Sequence, residues 1–129
     1  MPTSLSAGLI VYDILSKDAT VKQKATKVFP VLTDQDVELP YVCYHREHHQ
    51  GVSVKSGAGA DTAIIQVSCY GATYTQSVEL GEAVRAAMEG KEHTYSTIHM
   101  RACVMTDAQE YGTEEGNFVQ ELTFECRIN

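Results

Sequence analysis

The sequence contains no apolar run that approaches the roughly 20 residues a helix needs to cross a bilayer. The start of the chain also lacks the basic leader of a secretory signal, and Asp13 interrupts its first apolar stretch. Basic residues are scarce, with ten against 17 acidic ones and a net charge of −7. Because such a surface repels phosphate and anionic lipid, we expect neither sequence-specific nucleic-acid binding nor membrane binding. These features predict a cytosolic protein.

No pair of cysteines has the CxxC spacing of a zinc ribbon or a thioredoxin-like motif. The four cysteines are far apart, and each lies in a run that is typical of a strand: Cys43, Cys69, Cys103 and Cys126. We therefore predict four buried thiols that act as small apolar side chains, not a disulfide framework.

The composition is that of an ordinary globular protein, with 43% hydrophobic and 21% charged residues. A length of 129 residues is close to the most common size of one domain. We therefore expect residues 1–129 to form a single domain that can bury a core without metal or disulfide bonds.

The segment from Asp61 to Gly90 predicts a buried strand followed directly by an amphipathic helix. The strand has alternating apolar residues over positions 63–70, and Gly71 ends it. Thr73 and Gln76 have the spacing of a capping box, and Gly90 is a natural helix stop. The helical spacing shows in the apolar residues between these ends: Leu80, Ala83, Val84, Ala87 and Met88.

A first helix is predicted over residues 4–16, capped by Thr3 or Ser4. One apolar stripe on it suits the protein's own core: Ala7, Ile10, Val11, Ile14 and Leu15. A second stripe consists of Leu5, Leu9 and Tyr12. A helix that is apolar on two sides needs two coverings, so the second stripe could meet another part of the chain or a neighbouring subunit.

Residues 18–27 predict no more than a short helical turn, and strands are expected over 28–32, 40–48, 97–106 and 117–128. The acidic residues 107–116 then connect the last two strands as a hairpin loop. Together with the strand over 63–70, these elements predict an α+β fold, with a mostly antiparallel twisted sheet of about five strands and two helices packed on one face.

Candidate catalytic or metal sites are weak. His45, His48 and His49 form the one cluster of possible metal ligands, but on a strand they do not all share a face. Cys43 and His45 would lie about 7 Å apart on a strand, without a third orienting group. The glycine-rich SGAGAD tract lacks the Lys and Ser/Thr of a phosphate loop, and the acids at 107, 110, 114 and 115 match no calcium loop. We therefore expect no catalytic residue, no cofactor and no metal.

Several of these segments resemble the tail-completion, or head–tail joining, family of tailed bacteriophages and prophages. The similarity covers nearly the whole chain, from SAGLIVYDILSKD through KVFPV, LPYVCYH and IIQVSCYG to VELGEAVRAAMEG and a last hairpin. The resemblance implies a non-enzymatic α+β subunit that assembles as a homo-oligomeric ring, with a hexamer as one arrangement. That ring would end the growth of the tail tube and dock the tail to the head connector. The implied partners are further copies of the chain, the tail-tube protein and the connector proteins.

A virion-assembly role places the protein in the host cytoplasm during assembly and at the head-proximal end of the tail in the virion. The residues expected to contact other subunits or partners are Leu5, Leu9, Tyr12, Gly51, Val52, Val54, Lys55, Gly57 and Gly59. The last six lie in a glycine-rich segment that predicts either a mobile loop or the tip of a long hairpin. Another minor phage structural protein and a small metal- or ligand-binding module are the alternatives.

Overall fold

The computed structural model describes residues 3–31, 37–50, 53–54, 57–58 and 61–128. Its helices are α1 (Ala7–Lys17), α2 (Ala19–Lys24) and α3 (Tyr74–Met88), with a 3-10 turn at Ser4–Ser6 before α1. Its strands are β1 (Lys27–Pro30), β2 (Tyr41–Gln50), β3 (Ser53–Val54), β4 (Gly57–Ala58), β5 (Asp61–Gly71), β6 (His93–Tyr95), β7 (Ile98–Gly112) and β8 (Phe118–Ile128).

Six strands form one curled sheet in the order β1-β2-β5-β8-β7-β6. All neighbours are antiparallel except β1 and β2, which are parallel. The mixed α+β class and the mostly antiparallel sheet are therefore confirmed. The expected number of five strands was wrong in detail, because His93–Tyr95 folds back through a tight turn onto the start of β7. Ser96 has a positive φ of 55° in that turn, which such a tight reversal requires.

The number of helices also differs from the expected two. Residues 19–24 form the complete short helix α2, because the Asp18 side chain accepts hydrogen bonds from the backbone N–H groups of Thr20 and Val21, each at 3.0 Å. Asp18 is therefore the N-cap, because it accepts from backbone N–H groups of the first turn that have no partner within the helix. Val21 is fully buried, so tertiary packing adds to the cap in a segment whose sequence is mostly polar.

One face of the sheet carries the core. Alternate residues of β5 and β8 face each other across the register, as Ile65 with Phe124 and Val67 with Leu122. These side chains are buried together with the predicted inner residues of α1 and α3. Helix α3 packs on β5 and β8, whereas α1 contacts both edge strands, β1 and β6, and thereby bridges the two ends of the curl. The prediction that α1 and α3 share one face is confirmed.

The start of α3 follows the predicted capping chemistry. The Thr73 Oγ1 accepts a hydrogen bond from the Gln76 N–H at 3.1 Å, and the Gln76 side chain accepts one from the Ala72 N–H at 2.9 Å. The helix ends before Gly90, which has a positive φ of 73°. Gly71 lets the chain turn sharply, since a Cβ at this position would lie 2.6 Å from the backbone nitrogen of Ser77.

The last hairpin is longer than predicted. Strand β7 runs to Gly112, so Asp107–Gly112 pairs with β8 and does not form a loop. Only residues 113–117 make the reversal, in which the Thr113 N–H donates to the Asn117 carbonyl at 2.9 Å. Cross-strand pairing with an apolar β8 overrides the weak strand propensity of this acidic segment.

Residues 51–60 are described only as the two short strands β3 and β4, which pair with each other. Because they lie between the antiparallel strands β2 and β5, the alternative of a hairpin tip is the one that the structure supports. Among the helices described, none is long and apolar enough to cross a membrane.

We predict that Gly71→Ala lowers the free energy of unfolding by about 1–3 kcal/mol, because the new methyl group overlaps backbone atoms of α3 that cannot move aside. Gly112→Ala is the matched control, since the nearest atom to its added Cβ is 3.7 Å away. Urea unfolding of both variants measures the difference. Equal stability of the two variants would contradict the role assigned to Gly71.

A candidate protein–protein interface

The second apolar stripe of the N-terminal segment lies on the surface. Leu5 is 71% exposed, Leu9 59% and Tyr12 44%, whereas the first stripe of the same helix is buried. The helical period explains this arrangement, because positions 5, 9 and 12 fall on the side of the helix away from the sheet. Large apolar side chains grouped in this way on a surface indicate a contact site.

A groove of about 620 Å³ runs along this stripe. We call it the helix groove, and its lining includes Leu5, Leu9, Tyr12, Lys17, Pro30 and Tyr95. It therefore combines α1 with residues of both edge strands of the sheet. Its floor is rigid, because the buried Tyr44 hydroxyl donates a hydrogen bond to the Gly8 carbonyl at 2.7 Å. Burial raises the pKa of Tyr44 well above its ordinary value.

Charge is present at one end of the helix groove. The Lys17 ammonium lies 2.6 Å from the Asp13 carboxylate, one turn earlier in α1. The hydrogen bond to Asp13 raises the pKa of Lys17, so this lysine stays charged at neutral pH. An adjoining depression shares Tyr12 with the groove and continues to Lys22 and Lys27. The apolar groove thus ends in a basic region.

For the glycine-rich segment, the structure describes only the backbone of a small hairpin. Val54 pairs with Gly57 in the small β3–β4 hairpin. Gly51, Val52, Lys55 and Gly59 were predicted as contact residues, and they lie outside the described residues. The hairpin follows the end of β2, beyond the pairing of Gln50 with Thr62. Its role in contact stays a prediction.

The histidine cluster falls on a strand with an irregular register. His45 pairs with Gln66, but the pairing shifts by one residue between Arg46 and His48. The side chains of His48 and His49 lie outside what the structure describes. Among the described residues, no three His, Cys, Asp or Glu side chains are grouped closely enough to hold a metal ion.

Three of the four cysteines are buried, as predicted: Cys69, Cys103 and Cys126. The prediction was wrong for Cys43, which is only partly buried because it lies on the outer face of β2, and all four thiols are free. Burial raises the pKa of Cys43, whose Sγ donates a hydrogen bond to the Val31 carbonyl at 3.4 Å. A thiol held protonated in this way is a poor nucleophile.

The acidic residues near the last hairpin do not converge. Asp107 pairs with Thr123 and Glu110 with Gln120, and these positions alternate between the two faces of the sheet. The Glu110 carboxylate accepts hydrogen bonds from the Gln120 amide and the Tyr74 hydroxyl, each at 2.9 Å. These two hydrogen bonds lower the pKa of Glu110, and the bond from Gln120 has the larger effect. Glu110 therefore holds two neighbouring side chains in place.

Two aromatic features were missed by the sequence analysis. On the outer face of the sheet, Tyr41 stacks on Tyr70 with ring centroids 4.6 Å apart, and Tyr70 shares a hydrogen bond with Tyr111. Tyr70 and Tyr111 flank Val119 across the strands, and Val119 is fully buried there. The sequence does show that Tyr41 and Tyr70 each alternate with core residues and so lie on the outer faces of their strands. It does not show which strands are neighbours, so the contact between the tyrosines could not be predicted.

The second missed feature lies where α3 begins beside the last hairpin. Tyr74 and Phe118 pack edge to face, with ring centroids 6.1 Å apart, and remain 50% and 38% exposed. Glu110 accepts a hydrogen bond from the Tyr74 hydroxyl, and Glu114 and Glu115 are exposed in the turn that precedes Phe118. We call the five residues Tyr74, Glu110, Glu114, Glu115 and Phe118 the hairpin end.

We predict that tyrosinate absorbance includes a high titration step from Tyr111, in addition to the raised titration of the buried Tyr44. Burial first, and then the charges of Tyr70 and Glu121, raise the pKa of Tyr111 from 10.0 to about 12. A folded pKa above the unfolded one stabilises the protein below pH 10, and this contribution is lost as the pH rises towards 12.

The Tyr111→Phe variant should lack that step. In Glu121→Gln the step should move to lower pH, because Glu121 accepts a hydrogen bond from the Tyr111 hydroxyl at 3.2 Å and supplies the nearby negative charge. An unchanged titration curve in both variants would show that Tyr111 is not held in this environment.

Solved structures include chains with a similar fold. One is a chain from the virion of a native gene transfer agent particle, with a TM-score of 0.80 and 21% identity over 92% of this chain and 90% of that chain. Another is the gp17 protein of bacteriophage SPP1, with a TM-score of 0.61 and 15% identity over 98% of this chain and 91% of that chain. At these identities the likeness shows a shared fold. No curated protein sequence matches the chain.

The family comparison is more direct. The family model described as tail completion protein gp17 matches residues 10–129, which is most of the chain from the middle of α1 to the end. The matched region contains the whole six-stranded sheet and all of α2 and α3. The resemblance noted from the sequence is therefore confirmed: the chain belongs to the tail completion protein gp17 family of bacteriophage structural proteins.

Proposed function

We propose that this protein, as a tail-completion protein, forms a homomeric ring at the head-proximal end of a phage tail. The ring ends growth of the tail tube and docks the tail to the head connector. The family match and the fold shared with a particle-derived chain support a virion component. The main support for a ring is the helix groove, because Leu5 and Leu9 expose most of their apolar surface beside it.

Burial of this surface supplies the driving force for association. Fully burying a leucine side chain stabilises by about 1.5–3 kcal/mol, and Leu5 and Leu9 still have most of that gain available. Tyr12 adds an aromatic surface with a hydroxyl at its rim, a residue type that is common in interfaces. These three residues alone do not make a stable interface, so the ring also requires complementary surface on the neighbour.

The β3–β4 hairpin is the proposed contact to the tail tube or the connector. It follows the paired ends of β2 and β5, beyond the pairing of Gln50 with Thr62. A ring subunit needs two side surfaces for its neighbours and at least one end surface for the next component of the tail. Gly51, Val52, Val54, Lys55, Gly57 and Gly59 belong to this proposed end contact.

The role is non-enzymatic. The described part of the chain presents buried, protonated thiols, a hydrogen-bonded Glu110 and no three-ligand metal cluster. The protein works by the shape and chemistry of its surfaces. Assembly in the host cytoplasm, before the tail joins the head, follows from that role.

We predict that Leu9→Asp prevents ring formation without unfolding the subunit. Leu9 is 59% exposed, so the change should alter the free energy of unfolding by only about 0.5 kcal/mol, whereas a charge placed in an apolar interface costs far more. Light scattering after size exclusion measures assembly, and urea unfolding measures stability. Ala86→Asp, at an exposed position of α3, is the matched control and should assemble normally.

Deletion of the gene tests the function itself. We expect tail tubes of uncontrolled length, or full heads beside unattached tails, in electron micrographs of the lysate. The wild-type gene and Ala86→Asp should restore joined particles, and Leu9→Asp should not. Normal joined particles after deletion would instead favour another minor structural role.

A further inference from the structure

The hairpin end combines aromatic surface with negative charge. Tyr74 and Phe118 fix each other by edge-to-face packing, and Glu110 holds Tyr74 through its hydroxyl. The surrounding sequence is strongly acidic. Positions 102–126 contain no basic residue, and their acidic residues are Asp107, Glu110, Glu114, Glu115, Glu121 and Glu125. Preorganised aromatic groups lose little conformational freedom when they bind, which suits them to be anchors.

The helix groove is apolar and lies beside positive charge. Its apolar walls are formed by Leu5, Leu9 and Tyr12. Lys17 lies at one end of the groove, and Lys22 lines the adjoining depression. Positions 17–27 contain four lysines and one acidic residue, Asp18, in a chain whose net charge is −7. A lysine-rich segment therefore lies beside the helix groove.

The Tyr95 end of the helix groove and the aromatic pair of the hairpin end lie at opposite ends of β7. Tyr95 in the groove pairs with Ile98 at the first residue of β7, whereas Glu110 lies near the last residue of the same strand. Strand β7 has 15 residues, so its ends are separated by up to roughly 45 Å at about 3.3 Å per residue. We therefore expect a contact between the groove and the aromatic pair to join two different copies.

We propose that the hairpin end of one subunit docks into the helix groove of the next copy of the same chain. Tyr74 and Phe118 contact Leu5, Leu9 and Tyr12, while Glu114 and Glu115 lie against Lys17 and Lys22. This inference rests on the proposed ring and names the two surfaces that build it. Because the two surfaces differ, the contact is heterologous, and such contacts form closed rings when the rotation between copies closes.

Charge complementarity favours a second copy over another partner for the groove. An acidic hairpin end and an apolar groove that adjoins a lysine-rich segment occur on the same chain, so each subunit supplies what its neighbour lacks. Opposite potentials steer the correct encounter, whereas two grooves or two hairpin ends repel each other. The arrangement therefore also disfavours a symmetric dimer in which identical surfaces meet. Such a dimer could not add further subunits to form a ring.

Reversal of charge at each end tests the contact. Glu114→Lys with Glu115→Lys gives a subunit that is basic at both surfaces, and Lys17→Glu with Lys22→Glu gives one that is acidic at both. We expect each paired variant to weaken self-association by at least about tenfold in sedimentation velocity, since like charges then face each other. An equimolar mixture of the two should recover association, because basic grooves meet acidic ends and acidic grooves meet basic ends. The chain with all four substitutions should recover it as well.

The control pair Glu82→Lys with Glu92→Lys changes charge by the same amount at exposed positions outside both surfaces, and it should associate like the wild type. Thermal unfolding checks that every variant is folded. If the wild type forms rings and both charge-reversed variants form them equally well, the docking is wrong while the tail-completion role stands. Loss of association without recovery in the mixture also overturns direct pairing. A wild type that neither self-associates nor rescues the gene deletion contradicts the proposed function itself.

Discussion

The antiparallel pairing of β5 with β8 beneath α3 is the contact on which the rest of the structure depends. These central strands place Ile65 opposite Phe124 and Val67 opposite Leu122, and α3 covers them with Leu80 and Val84 in the same buried cluster. The turn at Gly71 makes this layer possible, because the chain passes directly from β5 into α3 with no room for a Cβ. Once this layer forms, β2 can pair with the free edge of β5 and β7 can pair with the free edge of β8.

The curl of the sheet creates the candidate interface. Helix α1 bridges β1 and β6, the two edge strands, and so protects both edges from open pairing with other chains. The same position leaves the outer stripe of the helix uncovered, since the sheet can bury only one side of a helix. The exposed Leu5 and Leu9 are thus a consequence of how the fold closes, and assembly through this stripe covers what folding leaves open.

Much of the fold could be predicted because it is encoded locally. The cap at Thr73, the stop at Gly90 and the alternation in β5 and β8 all depend on neighbours within a few residues. The predictions were wrong where pairing with a distant strand determines the secondary structure. Residues 107–112 are polar and acidic, yet they form a strand because β8 lies beside them, and residues 93–95 become an edge strand only because β7 is long enough to receive them.

For the site, the sequence by itself determined that α1 carries two apolar stripes, of which one suits the core. Helical periodicity is sufficient for this statement. Only the tertiary structure decided that the second stripe stays exposed instead of meeting another part of the described chain, and that Tyr95 from a distant strand completes the groove. It also brought Tyr74 and Phe118 together from positions far apart in the chain. The physical reason is that periodicity specifies the faces of each element, whereas the strand order and curl of the sheet specify which faces meet.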